Sequence, residues 1–115
     1  MAEYVLSHIK NKVATVVLNR PKKRNALNPQ LIAGLKMCLS ALQKDEGVKV
    51  VILQGAGPAF SAGADLGFLH ELQAKSYEQN LEDSHQLKDL LYLMYQFEKI
   101  LIAQVEGDAI AGGCG

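Results

Sequence analysis

An α/β fold carrying its chemistry on glycine-rich loops is the architecture the sequence predicts, and three observations lead there. Short β-rich apolar runs alternate with segments whose apolar residues recur at helical spacing. The run Val50-Val-Ile-Leu53 is continuously apolar, as buried strands are. Two stretches poor in side-chain bulk, Gly55 to Gly63 and Gly107 to Gly115, each follow a sheet run. In open α/β sheets ligands sit beyond the carboxyl ends of the strands, which is where such loops fall.

The elements follow in order. Tyr4 to Ile9 and Val13 to Leu18 flank Lys10-Asn11-Lys12, which reads as a hairpin. Asn19 to Asn25 is a polar loop with Pro21 as breaker. Asn28-Pro29 starts a helix, because Asn caps free N–H groups and Pro tolerates the first helical position. Leu31, Leu35, Cys38, Leu39 and Leu42 give that helix one buried face, and Gly47 is expected to end it. Val50 to Leu53 is the next strand, and Gly55 to Gly63 reads as loop. Ser76-Tyr-Glu-Gln79 has the form of a capping box. Leu87, Leu90, Leu91, Met94, Phe97 and Leu101 recur at helical spacing and carry the second helix to about residue 99. Leu101 to Val105 is a third sheet segment, and no linker or charge block divides the chain.

At 115 residues the chain has room for one domain. Hydrophobic residues make up 49%, which suits a globular protein rather than a disordered one. Twelve basic and twelve acidic residues cancel, so no global field favours nucleic acid or an anionic membrane. The apolar stretches are too short to span a bilayer, and with no charged segment leading into an apolar run at its start, no secretory leader is expected. Two cysteines, Cys38 and Cys114, lie far apart without a pairing pattern, which suits a reducing cytoplasm.

Most catalytic motifs are excluded. Gly55-Ala-Gly57-Pro-Ala-Phe60 begins like a dinucleotide loop, but Phe60 occupies the third glycine position and Pro58 removes an N–H. Ser61 lacks the Gly-x-Ser-x-Gly elbow of a nucleophile. His8, His70 and His85 have no metal-ligand companion at helical spacing. Asp65 and Glu106 are too isolated to form an acid/base pair by spacing. The basic residues of the Arg20 to Arg24 loop are too few for an RNA-binding patch. What remains is backbone. Phe60 to Leu66 and Gly107 to Gly113 strip away bulk, either to let a ligand approach the main chain or to make two tight turns. Composition leaves both readings open.

Three stretches together resemble the enoyl-CoA hydratase/isomerase (crotonase) family: Leu18-Asn-Arg-Pro21 with Asn25-Ala-Leu27, Phe60-Ser-Ala-Gly-Ala-Asp-Leu66, and Val105-Glu-Gly107 with Ala111-Gly-Gly-Cys114. The resemblance covers the whole chain. It implies that residues 1–115 are the N-terminal part of a crotonase-like spiral of β-β-α units, with the remaining turns and a C-terminal helical region beyond them. It implies an enzyme acting on acyl-CoA thioesters, of hydratase, isomerase or decarboxylase type, in fatty-acid or branched-chain metabolism. No separate cofactor is implied, since coenzyme A is part of the substrate. A cytoplasmic homotrimer or hexamer, contacting neither nucleic acid nor membrane, is expected.

By the same resemblance the N–H groups of Ala64 and Gly112 form an oxyanion hole, and Gly112 opens a helix whose dipole helps. Lys22, Lys23 and Arg24 are placed near the nucleotide phosphates. Ala62, Gly63, Asp65, Leu66 and Gly113 are assigned to the CoA thioester, with Asp65 alternatively capping the next helix. The chain departs from the family at Gly115, where hydratases carry a glutamate. Glycine cannot move a proton, so that acid/base role is unfilled. Lesser departures are Ile100 in place of a proline and Glu106 in place of an asparagine. A non-catalytic fragment that binds CoA or a partner is the reading from a different class. Half a spiral is also expected to leave sheet segments unpaired and apolar faces exposed, so stable folding as an isolated monomer is not expected.

Overall fold

The computed structural model describes residues 4–63, 77–109 and Gly113. Strands β1 (Val5–Lys10) and β2 (Val13–Leu18) form the expected hairpin, paired from Val5 with Leu18 to Lys10 with Val13. Its turn residues Asn11 and Lys12 have φ of 52° and 68°. Positive φ at both centres is what a two-residue turn needs to match strand twist. After β2 the chain makes a short 3-10 turn, Pro21–Lys23, and enters helix α1 (Pro29–Lys44). Strand β3 (Val50–Gly55) then lies parallel to β2. Helix α2 (Tyr77–Tyr95) leads to β5 (Ile100–Ala103), parallel to β3. The main sheet therefore has the order β1-β2-β3-β5.

Two short strands, β4 (Ala59–Ser61) and β6 (Asp108–Ala109), pair in parallel as a second sheet. Both lie in stretches that read as glycine-rich loop. A three-residue strand of Ala, Phe and Ser has little propensity of its own, and a partner remote in sequence decides it.

Alternation along β2 buries Ala14, Val16 and Leu18 against α1, which answers with Leu31, Ile32, Leu35, Leu39 and Leu42. Each fully buried Leu is worth about 1.5–3 kcal/mol, so this seam dominates the core. Cys38 is only half-buried and is a free thiol, while Ile32 joins the buried face unannounced by the spacing. Leu90 of α2 is buried in the same cluster, with Leu87, Leu93 and Met94 packed against it.

Both helix ends differ slightly from expectation. Helix α1 stops at Lys44 rather than at Gly47, because Asp45 turns to extended backbone and its carboxylate accepts from the Gly47 N–H at 2.8 Å. The Lys99 ammonium closes that end by donating to the Leu42 carbonyl at 2.7 Å and to the Asp45 carbonyl. Helix α2 ends at Tyr95, so Phe97 packs on the core from the connecting turn. The Ser76 capping position lies outside the described residues.

The start of α1 is as expected. Asn28 Oδ1 accepts from the Leu31 N–H at 2.8 Å, and Pro29 opens the helix. Replacing Asn28 with alanine is expected to cost about 1 kcal/mol, read as a shifted urea midpoint at unchanged slope.

Strand β5 forms one edge of the main sheet, and Ile100 and Ile102 are 61% and 46% exposed along it. Among the described residues, no helix is long and apolar enough to cross a membrane.

Candidate active site

Because β2, β3 and β5 run parallel, their carboxyl ends share one edge, and the glycine-rich loops start there. Next to that edge, between the sheet and the two helices, lies a cavity of about 460 Å³. Its wall includes Leu18, Leu53 and Phe60 from the strands, Leu27 from the loop before α1, and Leu87 and Met94 from α2. The lining is aliphatic save for Phe60 and the hydroxyl of Ser61, so it favours a hydrocarbon group over a charged one. Composition gave no sign of it, because the same leucines read as core. A larger concavity of about 590 Å³ lies at the other end of the sheet, lined by Lys44, Glu46, Lys49, Glu98 and Lys99. It is open to solvent and distant from the glycine-rich loops, and Lys99 in its wall caps α1.

The loop from Arg20 to Leu27 is bound tightly to the segment 56–63, and Asn25 is the centre of that contact. Asn25 is fully buried, with φ of 55°. Its Oδ1 accepts from the Arg20 N–H at 2.8 Å, and its Nδ2 donates to the carbonyls of Ala56 and Ala59, both at 2.9 Å. Its own N–H donates to the Arg20 carbonyl, and its carbonyl accepts from Ser61 Oγ at 2.9 Å. All of its polar groups are satisfied, which is what allows an amide at zero exposure. In the sequence it read as part of a polar loop. Asparagine tolerates left-handed backbone better than most residues, which is the one local clue.

The contact continues to the predicted site residues. The Ala62 N–H donates to the Arg24 carbonyl at 2.9 Å, so that donor is committed within the protein. Gly63 is buried with φ of 89°, a conformation that suits glycine. Its N–H reaches Ser61 Oγ at 3.2 Å, and its carbonyl accepts from the Leu27 N–H at 2.6 Å. Gly113 is also buried, seated against Ser61. Lys22 and Lys23 are exposed on the 3-10 turn. Arg24 is exposed too, and its guanidinium meets the Asp108 carboxylate at 2.6 Å, linking this loop to β6. Ala64, Asp65, Leu66, Gly112 and Gly115 lie outside the described residues.

Other candidates are dispersed. His8 and His85 are exposed on β1 and α2. Glu106 is exposed and accepts from Gln104 Nε2 at 2.7 Å. Among the described residues no group of three or more His, Cys, Asp or Glu could hold a metal ion.

With this geometry in place, comparison with known proteins gives a consistent answer. A family model described as enoyl-CoA hydratase/isomerase matches residues 8–115. A crotonyl-CoA hydratase of Syntrophomonas wolfei is 34% identical over 113 residues, covering 97% of this chain and 42% of the hydratase. A 1,2-epoxyphenylacetyl-CoA isomerase of Escherichia coli is 41% identical over 66 residues, covering 57% of this chain and 25% of the isomerase. The crystal structure of an enoyl-CoA hydratase from Shewanella pealeana superposes with a TM-score of 0.92 at 32% identity, covering 96% of this chain and 42% of that one. The chain thus spans less than half the length of these relatives.

Proposed function

The chain belongs to the enoyl-CoA hydratase/isomerase family, and from that premise we propose that the complete protein is an acyl-CoA enzyme that stabilises a thioester enolate. The observation that carries this reading is the aliphatic cavity at the carboxyl edge of the sheet, whose wall includes both Ser61 and Gly113. An acyl chain fits such a lining, and the two glycine-rich segments meet beside it.

The donors to the enolate oxygen are the N–H groups of Ala64 and Gly112. Support for the first comes from its neighbour. The Gly63 carbonyl is gripped by Leu27. That grip holds the backbone one residue before the proposed donor. A fixed main-chain donor needs no reorganisation as charge develops, which is the source of its catalytic value. Lys22 and Lys23, exposed beside the bound Arg24, are the cations assigned to the CoA phosphates. Asp65 and Leu66 complete the CoA contacts, and the assembly is a homotrimer or hexamer.

Hydration of a 2-enoyl-CoA is the first reading of the reaction. Gly115 favours a second, double-bond isomerisation or decarboxylation, because these need the oxyanion hole without a carboxylate at that position. The complete protein should therefore be assayed on 2-enoyl, 3-enoyl and carboxyacyl-CoA thioesters, beside its Gly115→Glu variant. If hydration is the native reaction and the carboxylate is what limits it, the variant is expected to gain at least about tenfold on crotonyl-CoA. Isothermal titration with CoA gives the control, which the change should leave alone. A protein that binds CoA yet turns over none of these thioesters, with or without the glutamate, is a binding member and not an enzyme.

A further inference from the structure

We propose that Ser61 is a positioning residue that sets the two glycine-rich loops against each other, and with them the two main-chain donors. Its catalytic consequence rests on the oxyanion reading above, whereas the geometry that points to it does not.

Ser61 is 1% exposed, and its hydroxyl is fully engaged. Oγ donates to the Asn25 carbonyl at 2.9 Å and accepts from the Gly63 N–H at 3.2 Å. With its proton directed at a buried carbonyl, it is no nucleophile. Its role is mechanical, because it bonds the basic loop on one side and fixes Gly63 on the other.

The second loop rests on the same residue. A Cβ built on Gly113 would stand 2.8 Å from both the Ser61 Cβ and its carbonyl carbon, and closer still to its carbonyl oxygen. Such an approach leaves no room for a side chain, so the Gly113 backbone sits directly on Ser61. The β4–β6 pairing also ends here, at Ser61 with Ala109, after an irregularity between Ala59 and Ser61. Two stretches distant in sequence, one at Asn25 and one at Ala109 and Gly113, therefore converge on this one residue.

The numbering makes the consequence direct. Ala64 is one peptide beyond Gly63, and Gly112 is one peptide before Gly113. Each proposed donor is thus next in sequence to a residue anchored on Ser61. The position asks for a side chain that is small and carries a hydroxyl. Alanine would leave the Gly63 N–H and the Asn25 carbonyl without partners in a buried place. Displacing a reacting group by about 1 Å can cost about a hundredfold in rate.

The test is Ser61→Ala in the complete protein, read by steady-state kinetics and by amide hydrogen exchange. The expected result is a fall in kcat of roughly ten- to a hundredfold per folded molecule. KM for the thioester and Kd for CoA should stay within about threefold, since only transition-state contacts are disturbed. Exchange in the segments holding Gly63 and Gly113 should rise together. Gly113→Ala keeps the hydroxyl but wedges the second loop away, so exchange around Gly63 and Gly113 should rise together in it as well. It is the variant that decides if Ser61→Ala does not accumulate as folded protein. A Ser61→Ala protein that melts earlier yet keeps kcat within threefold overturns the proposal, as does exchange that rises around Gly63 alone. If the parent protein turns over no acyl-CoA, the oxyanion reading fails, and exchange alone still decides whether Ser61 couples the loops.

Discussion

Replacing Gly112 with proline in the complete protein is expected to lower kcat on its acyl-CoA substrate by about 10²–10³-fold, the effect of losing one oxyanion donor. Proline removes the N–H and little else where a chain enters a helix, which is where the family places this residue. The same change should hardly alter the affinity for free CoA, which has no thioester carbonyl to bind. That contrast separates a lost donor from a damaged fold. In free-energy terms the loss is about 2.7–4 kcal/mol of transition-state stabilisation. Gly112→Pro retaining activity within about threefold would sink the assignment and leave the adjoining cavity as a binding feature only.

How much of this was legible in the sequence depends on where each feature's partners lie. The hairpin, α1, β3 and β5 declare themselves locally, through Lys10-Asn11-Lys12, the Asn28-Pro29 cap and the run Val50 to Leu53. The two short strands do not. Ala59 pairs with Asp108, and neither segment has a pattern that names the other. The Arg24–Asp108 ion pair spans 84 positions for the same reason.

Asn25 is the sharper case. Its side chain donates to main-chain carbonyls, at Ala56 and Ala59, and a carbonyl carries no residue identity for a sequence to display. A polar residue in a polar loop reads as solvated. Only the topology, which brings residues 20–27 against 56–63, turns it into a buried junction. The site behaved likewise. The two glycine-rich stretches drew attention to the carboxyl edge of the sheet without deciding between a ligand site and tight turns, and the donor positions followed from resemblance to a family and not from the residues themselves.

That junction supports the largest stability effect expected in the chain. Asn25→Ala would remove the side chain that accepts from the Arg20 N–H and donates to the carbonyls of Ala56 and Ala59, and would hold alanine at a φ of 55°. Each abandoned group costs about 1–3 kcal/mol when buried, and left-handed backbone about 1–2 more for alanine. Partial hydration of the less buried groups keeps the expected total near 3–5 kcal/mol. Against a domain stability of about 5–15 kcal/mol, that is a large fraction.

Two companion variants separate the causes. Asn25→Gly relieves the backbone conformation but not the lost bonds, so it should be more stable than the alanine variant by about 1–2 kcal/mol. Asn25→Asp keeps the acceptor for Arg20 but turns an oxygen toward two carbonyls. Burial beside them raises the folded-state pKa of the new carboxyl, so it folds best when protonated. Its stability should therefore be fully present below the ordinary carboxylate pKa and be lost as pH rises through the raised folded value, opposite to the usual acid loss. Urea unfolding across that range measures all three. An Asn25→Ala cost below about 1 kcal/mol would mean that the contacts at Ser61, Ala62 and Leu27 hold the two segments together without it.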